Sequence, residues 1–187
     1  MQDKPCKSAF LFGRLVTLRP VECSDAAWIQ KWCNDPEIRR LTGEVSPANF
    51  ADTEAYIERL RSSPDRVWFI IEEKGTGRPI GETGLLRMFH PWRTTDLSII
   101  LGEKDTWGQG YGTDAIHLLM DYAFGSLNFH RISIGVVGFN QQALRFYEKI
   151  GFKREGIQRD GYYCNHQYSD FVMMSILEDE FRAGVSG

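Results

Sequence analysis

A chain of 187 residues with 42% hydrophobic, 13% aromatic and 25% charged residues can bury a substantial core, which excludes disordered, collagen-like and disulfide-knot classes. Its 22 Lys and Arg against 25 Asp and Glu give a net charge of -3, without the clustered cationic excess that duplex nucleic acid demands, so no nucleic-acid partner is expected. Cys6, Cys23, Cys33 and Cys164 form neither a CxxC pair nor a metal-ligand spacing, and no stretch resembles a signal peptide or a bilayer span, so a cytoplasmic chain without a membrane partner is expected.

The run RLVTLR at 14–19 alternates apolar with polar and stops at Pro20, which predicts a first strand. Ser24 and Asp25 open a helix carrying Ala27, Trp28, Ile29, Trp32 and Cys33, which the pre-proline restriction ends at Asn34-Asp35-Pro36. Asp52 is the expected cap of a second helix bearing Ala55, Tyr56, Ile57 and Leu60. VWFIIEE, a turn at 75–79, IGETGLLRMF and TDLSIIL at 95–101 then predict an antiparallel meander. After a loop at 102–110 come a helix at 113–124, a strand at 131–137, a helix at 141–150 and strands near 152–157 and 168–177. No repeat or linker divides this order, so a single α+β domain over 1–187, with its core at about 14–181, is expected.

The segment WGQGYGTDA at 107–115 alternates three glycines between a strand and a helix, a context that turns backbone N–H groups toward an anion at the helix N-terminus. It lacks the dinucleotide fingerprint, since Thr113 stands where the third glycine would fall, and no GK[ST] follows as in a phosphate-binding P-loop. A second segment, NQQALRFYEKIGF at 140–152, puts Asn140, Ala143, Leu144 and Tyr147 on overlapping faces of one helix that ends at Gly151.

Together these segments resemble the GNAT superfamily of acetyl-CoA-dependent N-acetyltransferases. The family's pyrophosphate loop matches Gly108, Gln109, Gly110, Tyr111 and Gly112, with Trp107 where relatives carry Gln or Arg, and its Asn-x-x-Ala-x-x-x-Tyr-x-x-x-Gly-Phe pattern matches Asn140, Ala143, Tyr147, Gly151 and Phe152. RLVTLRP and WCNDPEIRRL look like the branch containing ribosomal-protein N-terminal and polyamine acetyltransferases. The resemblance implies a mixed, mostly antiparallel sheet flanked by helices, with the strands at 95–101 and 131–137 splayed to admit a pantetheine arm. It implies acetyl-CoA as co-substrate, bound by Ile100, Leu101, Gln109, Gly110, Tyr111, Gly112, Thr113, Asn140 and Tyr147. Family habit also implies a homodimer.

In that reading a neutral amine attacks the acetyl carbonyl directly, a backbone N–H around Leu101 stabilises the carbonyl oxygen, and Tyr147 protonates the departing thiolate. Asp96, where relatives often carry Glu, is the first candidate to take the amine's proton, and Glu82 the second. The acceptor site is expected among the N-terminal helices, the FHPWR turn and RDGYYCNHQY, with Asp160, Tyr162 and Tyr163 as candidates; an acidic groove from Glu44, Asp52, Glu54 and Glu58 would suit a polycation. His90, His117, His130 and His166 form no metal-ligand pattern. The expected acceptor is a protein N-terminus, with a polyamine, amino-sugar or antibiotic amine as the alternative and an acyl-CoA sensor as the non-enzymatic one.

Overall fold

In a computed structural model, which describes residues 8–43 and 45–185, the alternating segments join in one eight-stranded sheet. Leu11–Phe12 (β1), Val16–Pro20 (β2), Val67–Glu73 (β3), Pro79–Phe89 (β4) and Thr94–Leu101 (β5) are successive antiparallel neighbours. Arg131–Val137 (β6) runs parallel to β5, while Lys153–Cys164 (β7) and Gln167–Leu177 (β8) form a hairpin whose second strand pairs with β6. The order is β1-β2-β3-β4-β5-β6-β8-β7, the mixed and mostly antiparallel α+β arrangement expected.

Period-two alternation sends neighbouring side chains to opposite faces. Phe69 enters a core with Leu85, Ile116, Leu119, Ile132 and Leu144, under Tyr111–Asp121 (α4) and Gln141–Lys149 (α5). Its neighbours Trp68 and Ile70 enter a second core with Ile29, Trp32, Ile38 and Ile57, under Ala26–Asn34 (α1), Pro36–Thr42 (α2) and Phe50–Ser62 (α3). Glu178–Val185 (α6) follows β8 and adds Phe181 to the first core.

Three helices, not two, precede β3. Pro36 stops α1 but also starts α2, whose Asp35 cap accepts from the Glu37 N–H at 2.9 Å and the Ile38 N–H at 3.2 Å. Asn49 rather than Asp52 caps α3, accepting from the Asp52 N–H at 2.9 Å. The strand expected near 152–157 continues to Cys164, because it zips against β8 as a hairpin. α6 carried no prediction. Among the described residues no helix is long and apolar enough to cross a membrane.

Two acids, Asp25 buried and Asp114 half-buried, fix the layers around the site. Arg19, only 1% exposed, grips Asp25 through two bonds of 2.7 and 2.8 Å and Glu72 through a third of 2.6 Å, locking the turn before α1 onto β2 and β3. Asp114 in the first turn of α4 accepts from the Leu15 N–H at 2.7 Å and the Val16 N–H at 3.0 Å, tying the β1–β2 turn to the helix that follows the glycine loop.

The functional opening lies between β5 and β6. These strands pair only where Thr94, Thr95 and Asp96 meet Arg131, Ile132 and Ser133. From Leu97 onward β5 keeps β4 on one side and, among the described residues, has no strand on the other.

Candidate active site

Backbone direction decides what this open edge offers. The Gly102 N–H donates to the Ile80 carbonyl at 2.9 Å, so Ile100, two residues earlier, also turns its N–H and C=O toward β4. By the same alternation Leu97, Ile99 and Leu101 turn theirs into the gap. Ile100, named among the expected cofactor contacts, therefore turns no backbone group into the gap, although it lines the cleft, whereas Leu101 does. The Leu101 carbonyl is already engaged by the Trp107 indole Nε1–H at 2.9 Å.

Beyond β5 the chain enters the glycine loop, where Gly108 and Gly110 take φ of +74° and +91°, a region that strains any side chain. Gly110 caps α4, and the first helical bond runs from the Asp114 N–H to the Gly110 carbonyl at 3.0 Å. The N–H groups of Tyr111, Gly112 and Thr113 thus have no intrahelical acceptor and sit at the positive end of the dipole. The side chains of Gln109 and Tyr111 brace the loop from outside: the Gln109 amide donates to the Asp105 carbonyl, and the Tyr111 hydroxyl to Glu73 at 2.7 Å. Both residues leave only their backbone for an anion.

A cleft of about 1100 Å³ unites this loop with the open edge, lined by Gly110, Gly112, Thr113, Leu101, Asn140 and Tyr147 at one end and by Ile29, Ile38, Asp52, Tyr56, Glu82 and Asp96 toward the other. Asn140 caps α5, its side chain accepting from the Ala143 N–H at 3.1 Å. Tyr147 reaches the cleft from the α4–α5 face, 5% exposed and wedged between the rings of Phe146 and Phe152. Burial pushes its phenol above the ordinary tyrosine range, so it stays protonated at neutral pH.

Glu82 enters from the opposite face of the sheet. It is 2% exposed and accepts a hydrogen bond from the Trp68 indole Nε1 at 3.0 Å. Burial pushes its carboxyl up and the indole pulls it down, leaving it at about 7. Asp96 sits four residues from Ile100 along β5, about 13 Å from the level of Glu82 at the usual rise per residue. A bulge in β4, with Arg87 at a φ of +52°, sets the Arg87 guanidinium on the Asp96 carboxylate as an ion pair.

The remaining candidates scatter. The Tyr162 hydroxyl donates to the Arg40 carbonyl at 2.7 Å and fastens the β7–β8 hairpin to α2, while Asp160 and Tyr163 stand outside the cleft lining. Phe89 and Trp92 of the FHPWR turn pack on each other, exposed. Of the acidic groove, Asp52 lines the cleft, Glu58 pairs with Arg61 at 3.3 Å, Glu54 is outside the lining, and Glu44 lies outside the described residues. Among the described residues no group of three or more His, Cys, Asp and Glu is arranged for a metal ion. Sequence reasoning passed over Trp68; its signal was Gly84 two residues beyond Glu82, where a Cβ would lie 2.3 Å from the indole ring.

An edge of backbone groups without a strand partner, a helix N-terminus with free N–H groups and a buried phenol thus line one cleft. Residues 15–153 match the acetyltransferase (GNAT) domain model, and the chain belongs to that family of acetyl-CoA-dependent N-acetyltransferases. It is 28% identical to the spermidine N(1)-acetyltransferase of Escherichia coli K12 over 90% of this chain and 89% of that one. The probable N-acetyltransferase YjcK of Bacillus subtilis is 33% identical, covering 91% of this chain and 98% of its own. The spermidine N-acetyltransferase of Vibrio cholerae, solved in complex with CoA and spermine, superposes with a TM-score of 0.84 at 26% identity, covering 90% and 98% of the two chains.

Proposed function

We propose that this acetyltransferase acts on a small aliphatic polyamine such as spermidine, in place of the protein N-terminus expected from the sequence. The observation that carries this reading is the similarity, over about nine-tenths of both chains, to spermidine acetyltransferases. The cleft supports it chemically. Ile29, Ile38 and Tyr56 form an apolar wall that suits methylene segments, and Glu82 and Asp52 are carboxylates that suit ammonium groups.

Acetyl-CoA supplies the activated acetyl group, and the free N–H groups at Tyr111, Gly112 and Thr113 suit its pyrophosphate. Its arm would enter the open edge at Leu101, so the acyl carbonyl falls deeper along β5, where the N–H of Ile99 or Leu97 faces the oxygen on which negative charge develops. Glu82, close to the neutral range and without an ion pair among the described residues, accepts the amine's proton; Asp96, paired with Arg87, serves as a wall of the site. The deprotonated nitrogen bonds to the carbonyl carbon, the carbon–sulfur bond breaks, and the Tyr147 phenol gives its proton to the thiolate.

Thiol release from acetyl-CoA, measured with spermidine, spermine, an N-terminal peptide panel, an amino sugar and an aminoglycoside, tests the acceptor. The expected result is a kcat/KM for spermidine at least tenfold above that for any peptide. A peptide preferred over both polyamines would overturn the reading.

A further inference from the structure

We propose that Trp68 is a positioning residue for acetyl transfer: its indole N–H holds the Glu82 carboxylate in the floor of the cleft and favours the form that accepts a proton. This inference rests on the reading of Glu82 as the proton acceptor.

The geometry is specific. Trp68 is buried on β3, one strand from Glu82 on β4, and donates to Oε2 at 3.0 Å. Its ring lies over Gly84, where a side chain would meet it at 2.3 Å, so the sequence GETG leaves room beside the carboxylate for the indole. Opposite Glu82 stand Ile70 on β3 and Ile100 on β5, both apolar. The other titratable and charged groups that share the cleft are Cys33 of α1, Asp52, Tyr56 and Arg59 of α3, Arg87 farther along β4 itself, Asp96 of β5, and Tyr147 and Lys149 of α5. The opposing influences on Glu82 are burial, which favours the neutral acid, and the indole bond, which favours the carboxylate. A tryptophan suits this task, because its N–H donates and never accepts, so it cannot hold the protonated acid by taking its hydrogen.

The test is the pH dependence of kcat/KM with spermidine, or whichever amine of the acceptor panel turns over, for wild type, Glu82→Gln and Trp68→Phe. Wild type is expected to rise through a limb near pH 7, distinct from ionisation of the acceptor at about 10. Glu82→Gln should abolish that limb, and Trp68→Phe should move it upward by about one to two pH units, the range a hydrogen bond to a charged group covers. At pH 7 this is roughly a five- to fiftyfold loss. A second readout needs no folded Trp68 variant: in the ligand-free protein labelled with nitrogen-15, one indole N–H resonance should follow the Glu82 titration and cease to do so in Glu82→Gln. A Trp68→Phe limb that stays in place while kcat/KM falls equally at every pH, or the lack of any indole resonance following Glu82, overturns the positioning role and leaves Glu82 as the base. A Glu82→Gln profile that retains the wild-type limb overturns the assignment of Glu82, and the role of Trp68 with it.

Discussion

The Trp107 indole donates to the Leu101 carbonyl at 2.9 Å, closing the turn between the last residue of the open strand and the glycine loop. Relatives are expected to carry Gln or Arg at that position, yet the bond preserves what the loop requires: a fixed exit angle for β5. With Leu101 held by its carbonyl, its N–H remains directed into the gap between β5 and β6. Trp107→Phe removes one neutral hydrogen bond of about 1 kcal/mol, so the KM for acetyl-CoA should rise about fivefold with little change in kcat. Trp107→Gln, which keeps a donor, should rise less. Steady-state kinetics at saturating amine reads both.

Tyr147→Phe should lower kcat by about 10²- to 10³-fold, the usual worth of a positioned proton donor, while acetyl-CoA binding by calorimetry stays within about twofold. Because burial raises the Tyr147 phenol, its ionisation should produce no fall in wild-type activity below about pH 9. Equal loss of affinity and turnover would move Tyr147 from chemistry to packing.

Glu82 also shapes stability. The folded chain holds its proton up to about pH 7, whereas the unfolded chain releases it near 4.5, so stability falls as pH rises through this window. Ionising it in place costs on the order of 3 kcal/mol. Glu82→Gln should therefore melt several degrees above wild type at pH 8, and the two should converge by pH 4. Thermal unfolding followed by circular dichroism checks the sign.

Arg19→Met should strip Asp25, fully buried, of both guanidinium bonds and destabilise the chain by about 3–5 kcal/mol, the usual consequence of removing one partner of a buried ion pair. Arg19→Lys should rescue only part of this, since an ammonium cannot reproduce the two parallel bonds. Urea denaturation measures each step.

How far the sequence could be read depended on the range of the forces involved. The glycine loop was legible because left-handed backbone at Gly108 and Gly110 is a local demand, and α5 because its Asn140 cap and apolar spacing lie within two turns. The α2 helix escaped notice because Pro36 both ends one helix and starts the next, and Asp35 shows its capping role only when the Glu37 and Ile38 N–H groups are seen to point at it. The length of β7 depended on its partner β8, not on its own exposed residues.

By itself the sequence determined most of the strands and helices and, through its resemblance to the GNAT family, the kind of fold and co-substrate to expect, since glycine conformations, helix ends and strand alternation are imposed by neighbouring residues. Only the tertiary structure gave the two candidate carboxylates different surroundings. Asp96 and Glu82 are both acids on strands with nothing local to rank them. Three helices packed on one face bury Glu82 beside Trp68, and a bulge in β4 delivers Arg87 to Asp96. Burial raises a carboxylate's proton affinity, as at Glu82, and it belongs to the assembled faces, not to the strand that carries the residue.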